Sequence, residues 1–374
     1  MLKVNKNQLL NELKKIIRVV PSKHNIEVIT GFLIEANNGN IKITGTNLEM
    51  SIETSVPYEV QLGEEVNVNY IIEAKMFHDI ISKLSSDVVE LDLSEDNILN
   101  IKSAKSKFNI KILGKKDSFP SIQSENENKD VIIIKGTELK ELIFKTIPFT
   151  SDDDSRPILG GVNLEFSDNK LAGVSLDGYR MSYYENEIEN KNNTSIVVPA
   201  AMLVNVGRMI TGDEEVKITI GEKKSIKVEV KNTSIYARRF EGKFINYKDI
   251  LNPEKYQAKI KVNVQELKSA IDRTVILAKQ MKGFAPLIIK LGDDSMELNV
   301  NSEIGNVREI VKMELEGETQ EDFRIAFNPK YFQEGLNVVD EENVEIRFNT
   351  SVTPAYITGE KGYTYMMLPI RLAS

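Results

Sequence analysis

The feature that most limits how this chain can fold is that it is written three times over. Three weakly similar thirds carry the same ordered series of elements, and such repetition fixes an architecture before any single motif does. Each third opens on a short strand and a helix: "KVNKNQLLNELKKIIRVV", "VIIIKGTELKELIFKTI" and "KVNVQELKSAIDRTVILAK", with Leu9, Leu139 and Leu267 equivalent. A strand pair follows in each, and its "NNGN", "SDNK" or "GDDS" has the Gly, Asn and Asp chemistry of a hairpin turn. An extended segment then leads into a second helix, where Phe77, Leu203 and Phe332 are equivalent. A last strand pair closes on Phe119-Pro120, Phe244-Ile245 or Leu368-Pro369. Two helices and several period-two strands per third predict an α+β class. Three similar domains are expected, 1–128, 129–255 and 256–374, divided at the polar stretches 121–130 and 252–259. The apolar terminal run "YTYMMLPIRLAS" then becomes the final strand of the third repeat.

Length agrees with this division. The chain has 374 residues, more than the roughly 250–300 at which one hydrophobic core stops growing. Apolar residues make up 41% and charged residues 28%, an ordinary globular balance, and no apolar run approaches the ~18–20 residues of a membrane helix. The N-terminus passes directly into amphipathic sequence, so no secretory signal is expected. The absence of cysteine removes disulfides, Cys-ligated zinc and thiol nucleophiles together. These features point to a soluble, cytoplasmic protein. The net charge of −8 argues against a nucleic-acid partner unless basic residues are segregated onto one face.

The helices suggest such segregation. On a 100° wheel the first helix gathers Leu9, Leu10, Leu13, Ile16 and Ile17, while Asn11, Lys14, Lys15 and Arg18 lie opposite with no acid among them. The later helices add Lys140, Lys145, Lys268, Arg273, Lys279, Lys75, Lys83 and Arg208. Each face taken alone reads first as a solvated surface. If the helices share one side, they form a track for a phosphate backbone. In the last long helix Leu267, Ala270, Ile271, Val275, Leu277 and Ala278 share an arc, and Ile276 points away from it. Repeats joined head to tail also leave an unmatched start and an unmatched end, which form filaments or close into a ring.

Six motifs carry a family resemblance: "TGTNLEM" (44–50), "RPILGG" (156–161), "LDGYRM" (176–181), "FINYKDILNP" (244–253), "IDRTVILAK" (271–279) and "MLPIRL" (367–372). Together, and in this order over the whole chain, they closely resemble the β subunit of bacterial DNA polymerase III, the sliding clamp family. The resemblance implies the DNA clamp fold: a head-to-tail homodimer forming a six-domain ring, with helices facing a central channel around double-stranded DNA, bound without regard to sequence. It implies no chemistry, no cofactor, no metal and no catalytic residue. The implied role is tethering the replicative polymerase for processive synthesis and docking the clamp loader and repair proteins through short linear motifs. The implied peptide pocket is Leu159, Leu176, Gly178, Tyr179, Arg180, Met181, Ile245, Tyr247, Ile250, Pro354, Met366, Leu368, Pro369, Ile370, Arg371 and Leu372. The implied dimer contact sets Lys105, Lys107, Phe108 and Ile110 of one copy against Ile276, Leu277 and Glu303 of the other. The implied DNA-facing residues are Lys14, Lys15, Arg18, His24, Lys75 and Arg208. Departures occur at Ile245, Leu176 and Asp249 in the pocket, and at His24, Asp153 and Ala200 or Ala201 on the DNA side.

Two other readings compete. An enzyme would start from Asp152, Asp153 and Asp154, but consecutive acids in a Ser/Pro-flanked loop are more often a solvated turn, and no second acidic motif completes a hard-cation shell. His24 and His78 lie far apart, and no phosphate-binding G-x-x-x-x-G-K-[ST] loop is present. A monomeric repeat scaffold that binds only proteins would differ from a clamp in showing no salt-dependent association with duplex DNA.

Overall fold

The computed structural model describes the whole chain except residues 61–66, 95, 122–129, 190–191, 222–223, 252–255, 279–284, 318–322, 360 and 373–374. Lys279 and the expected boundaries at 128/129 and 255/256 fall outside the described residues. In the first third, β1 (Leu2–Asn5) leads into α1 (Lys6–Ile16). There follow β2 (Gly31–Asn37), β3 (Asn40–Thr46), β4 (Met50–Pro57), β5 (Val68–Glu73), α2 (Ala74–Lys83), β6 (Val88–Leu93), β7 (Ile98–Ser103) and β8 (Ser106–Lys111). The middle third repeats the order with β9 (Val131–Lys135), α3 (Gly136–Thr146), β10 (Gly161–Ser167), β11 (Lys170–Leu176), β12 (Arg180–Glu187), β13 (Thr194–Pro199), α4 (Ala200–Met209), β14 (Glu215–Ile220), β15 (Ser225–Val230) and β16 (Thr233–Arg238). A short helix, α5 (Lys248–Leu251), precedes the last third. That third holds β17 (Ala258–Asn263), α6 (Val264–Ala278), β18 (Leu287–Leu291), β19 (Ser295–Ser302), β20 (Gly305–Lys312), β21 (Glu314–Gly317), β22 (Arg324–Phe327), α7 (Pro329–Asn337), β23 (Asn343–Phe348), β24 (Ala355–Thr358) and β25 (Tyr363–Met367).

Local chemistry accounts for these elements. Asn5 caps α1 by accepting the amide of Gln8, and Asn328 caps α7 by accepting that of Lys330, with Pro329 in the first turn. The expected β2–β3 and β10–β11 hairpins turn on Asn38-Gly39 and Asp168-Asn169, all four at positive φ. Helix α1 buries Leu9, Leu13 and Ile16, each contributing about 1.5–3 kcal/mol by leaving water. The helix closes onto β3 because Gly45 offers no side chain, where a Cβ would collide with Ile16 and Val20.

Backbone contacts group the chain into two compact units: Met1–Thr137 with Asn205–Arg239, and Glu138–Val204 with Phe240–Ser374. The reason is sheet continuity. The first unit has a four-stranded sheet, β1-β6-β7-β8, and an eight-stranded one, β5-β2-β3-β4-β16-β15-β14-β9, in which β4 of the first third pairs with β16 of the second. The second unit has a nine-stranded sheet, β13-β10-β11-β12-β25-β24-β23-β17-β21, in which β12 pairs with β25, and a four-stranded sheet, β20-β19-β18-β22. All strand pairings among the described residues are antiparallel. The terminal run is shorter as a strand than expected: β25 ends at Met367, and Leu368 to Leu372 continue as irregular chain, since Pro369 has no amide to donate to a ladder.

Candidate functional site

The second unit carries an apolar row across four strands. Register places Leu176 opposite Met181, Met181 opposite Met366, and Met366 opposite Tyr356, so all four stand on one face of the nine-stranded sheet. Leu159, Val174 and Tyr247 join this buried cluster, and Ile158, Tyr183, Phe244, Ile250 and Leu251 pack against it half-buried. The segment carrying Tyr247 is fastened over the sheet. Tyr247 donates its hydroxyl to Glu165, Lys248 lies 2.7 Å from the same carboxylate, and Tyr356 donates to the Ile250 carbonyl at 2.8 Å. Burial acts to raise the Glu165 pKa, but hydrogen bonds from Lys248 and Tyr247 outweigh it and hold the carboxyl below its ordinary value. Burial, and then the bond to Glu165, push the Tyr247 phenol up, so it stays a donor.

One end of the row is a tight loop. Gly178 has φ +94, a conformation that favours glycine. Asp177 accepts the amides of Tyr179 (2.9 Å) and Arg180 (3.1 Å). Tyr179 is 62% exposed, its carbonyl accepts the Leu368 amide at 2.8 Å, and its ring lies 6.4 Å from that of Tyr331. The Ile370 amide donates to the Ala326 carbonyl of β22 at 2.7 Å, which ties the chain end to the edge of the four-stranded sheet. Leu368 and Leu372 are exposed, and Pro369 and Ile370 half-buried.

Of the sixteen residues expected to wall a pocket, the structure brings Leu159, Leu176, Met181, Tyr247, Ile250 and Met366 into one cluster. Gly178, Tyr179 and Leu368 form its rim. Ile245 is exposed on the covering segment, Pro354 is half-buried beside β24, and Arg371 is exposed on the tail. The Arg180 side chain is buried, donates to Asp177 at 2.8 Å, pairs with Glu334, and lies 4.3 Å from the Tyr331 ring centre. The motif names the residue but does not show the direction of its side chain. Val174, Tyr183, Phe244 and Tyr356 belong to the cluster and were missed. Strand alternation around Leu176, Met181 and Met366 was the available signal for the first two.

The basic residues separate similarly. Lys14, Lys75 and Arg208 are exposed on helices, Arg18 is exposed in the turn after α1, and His24 lies in an exposed loop with its Nδ1 accepting the Ile26 amide at 3.0 Å. Lys15 differs: its ammonium pairs with Glu12 at 2.6 Å and reaches the Thr233 hydroxyl at 3.3 Å. The face read as free of acids therefore has Glu12 at its margin. Asp153 does what the solvated-turn reading expects, accepting the Ser155 amide at 2.9 Å. Among the described residues, no three His, Asp or Glu side chains are grouped to hold a metal ion, and no helix is long and apolar enough to cross a membrane.

The remaining expected contacts lie at two strand edges. Lys107, Phe108 and Ile110 are on β8 with Lys105 in the turn before it, and Ile110 is already buried in its own sheet. Glu303 is in the turn before β20, and Ile276 and Leu277 are on α6, which packs on β19 and β20. As the wheel predicts, Ile276 is 65% exposed. Beside β8, Phe108 with Met76 and Ile80 of α2 forms an open recess of about 530 Å³, rimmed by Lys75, Asp79 and Lys83.

Repeated α+β units joined by sheets that run from one repeat into the next are the architecture of a clamp-type protein. Models of the DNA polymerase III beta subunit match in order: the N-terminal domain over 1–123, the central domain over 133–246 and the C-terminal domain over 249–371. The chain is 27% identical to the beta sliding clamp of Bacillus subtilis and 28% identical to that of Staphylococcus aureus, covering 98% of both chains in each case. A Eubacterium rectale structure described as a DNA polymerase III beta subunit superposes with a TM-score of 0.91 at 30% identity, covering 99% of each chain. The Bacillus subtilis sliding clamp structure gives 0.91 at 26%, covering 100% of this chain and 99% of that one. The chain belongs to the DNA polymerase III beta subunit family, the sliding clamps. It acts in DNA replication as a non-catalytic processivity factor.

Proposed function

We propose that two copies close head to tail into a six-domain ring around duplex DNA. Each copy has three clamp domains, 1–128, 129–255 and 256–374, and the ring works in the cytoplasm. The observation that carries this reading is a pairing rule. The last strand of the first strand group in one repeat pairs with the last strand of the following repeat, as β4·β16 and β12·β25. By the same rule β20 of one copy takes β8 of another, and these are edge strands of their sheets among the described residues. Edges of this kind invite pairing with another chain. Two identical heterologous contacts then close the ring.

Exposed Lys14, Arg18, Lys75 and Arg208, with His24, supply phosphate contacts that hold a duplex without reading its bases. Polymerase, loader and repair proteins dock short linear motifs along the edge of the apolar row and the tail, where Tyr179, Leu368 and Leu372 are exposed above the buried Met181 and Met366. The test is solution mass on dilution. A mass of twice the chain's 42.3 kDa, persisting on dilution, is expected, and a stable monomer overturns the two-copy ring.

A further inference from the structure

The first helix of every repeat carries a cation at one equivalent place, six residues after Leu9, Leu139 and Leu267: Lys15, Lys145 and Arg273. Two of these cations sit on seams between repeats. Lys15 binds Glu12 and reaches Thr233, whose hydroxyl is 3.0 Å from that of Thr54. Thr54 and Thr233 are directly opposite in the β4·β16 pairing. Lys145 is fully buried, donates to the Val338 carbonyl at 2.8 Å and lies 3.3 Å from Asp340. It also lies 5.8 and 5.5 Å from the ring centres of Tyr184 and Tyr363, which are directly opposite in the β12·β25 pairing.

Thr54 and Tyr184 are the same position counted along their hairpins. Each stands eight residues after the one that closes the hairpin, in the pairs Thr46 with Ser51 and Leu176 with Met181. The corresponding pair in the third repeat is Asn301 with Asn306, and eight residues after Asn301 stands Glu309. Arg273 holds Glu309 through two bonds of 2.7 Å. The third repeat thus has a seam's cation and its first strand residue, on a strand that is a sheet edge among the described residues.

We infer that Arg273 and Glu309 form an intersubunit fastening that is completed by Ser106 of a second copy. This rests on the two-copy ring proposed above and adds its register and its weak point. Ser106 is equivalent to Thr233, because the β7–β8 and β15–β16 hairpins close identically, Ser103 on Ser106 and Val230 on Thr233. Ser106 therefore lies opposite Glu309, Phe108 opposite Val307, and Ile110 opposite Gly305. The Ser106 hydroxyl donates to the Glu309 carboxylate, and the recess at Phe108, Met76 and Ile80 faces the exposed Ile276. On the outer side Lys107 meets Arg308, whose charge is already paired with Glu297.

The internal seams hold ion pairs too, Lys15 with Glu12 beside the hydroxyl pair and Lys145 with Asp340 beside the ring pair, but their cations are only 28% and 0% exposed. The intersubunit seam is fastened by an ion pair whose side chains are 54% and 20% exposed before assembly. It is consequently the seam most sensitive to ionic strength, because salt screens exposed charges far more than buried ones.

The chain has no cysteine, so the register can be read by cross-linking. Asn109→Cys with Asn306→Cys, both exposed and opposite in this register, is expected to form disulfides between copies on mild oxidation; the slipped pair Asn109→Cys with Arg308→Cys is not. Arg273→Met is expected to speed exchange between two labelled populations by at least about tenfold at low salt and to flatten its salt dependence, with Arg273→Lys partly restoring both and circular dichroism unchanged. A wild-type dimer that cross-links better in the slipped register, or that exchanges at the same rate with Arg273→Met, overturns the fastening and leaves the ring standing. A wild-type chain that is monomeric at every concentration overturns both.

Discussion

Arg180 shows how much a single residue decides here. Its guanidinium ties Asp177 to Glu334 between two aromatic rings, fixing the loop that presents Tyr179 and leads to Leu176. Arg180→Ala leaves two acids without their shared cation and is expected to cost about 3–5 kcal/mol, measured by denaturant unfolding, with peptide affinity falling alongside. Glu165 fastens the other side. Its folded pKa is depressed, so its stabilising contribution is present above the unfolded glutamate value and is lost as pH falls through the lower folded one. Peptide binding is expected to weaken below pH 4.5, the ordinary glutamate value, and Glu165→Gln removes that acid limb in an anisotropy titration. Such roles are only half legible in sequence. A wheel or a motif places Lys15 and Arg180, but their directions depend on Thr233 and Glu334, far away in the chain.

At the scale of elements the sequence is far more informative. Hairpin turns need residues that tolerate positive φ, helices need periodic apolar faces, and both are local properties; the turn at Asp168-Asn169 and the outward Ile276 follow from them. The end of β25 was less legible, because an apolar run continues past Pro369 while strand pairing does not. That tail makes its own prediction. Ile370→Ala with Leu372→Ala removes apolar surface from a half-buried and an exposed position, so partner-peptide affinity should drop at least about tenfold without loss of fold or dimer. Unchanged anisotropy with a labelled peptide would contradict the docking role of the tail.

For the whole molecule, repetition predicted three domains and matching element orders, whereas the joining of sheets across thirds depends on strand partners that no local pattern names. The β4·β16 and β12·β25 pairings are the consequence, and they explain why contacts gather the chain into two units while its sequence divides into three. The same pairings supply the argument for ring closure. A ring that encloses DNA is held by topology as well as affinity, so contacts weak enough to slide need not fail to hold. The most direct measurement is retention of the loaded protein on circular DNA in high salt, before and after one cut in the duplex. Retention on the intact circle is expected, with release from the ends once the DNA is linear. Equal loss from both forms would contradict encirclement.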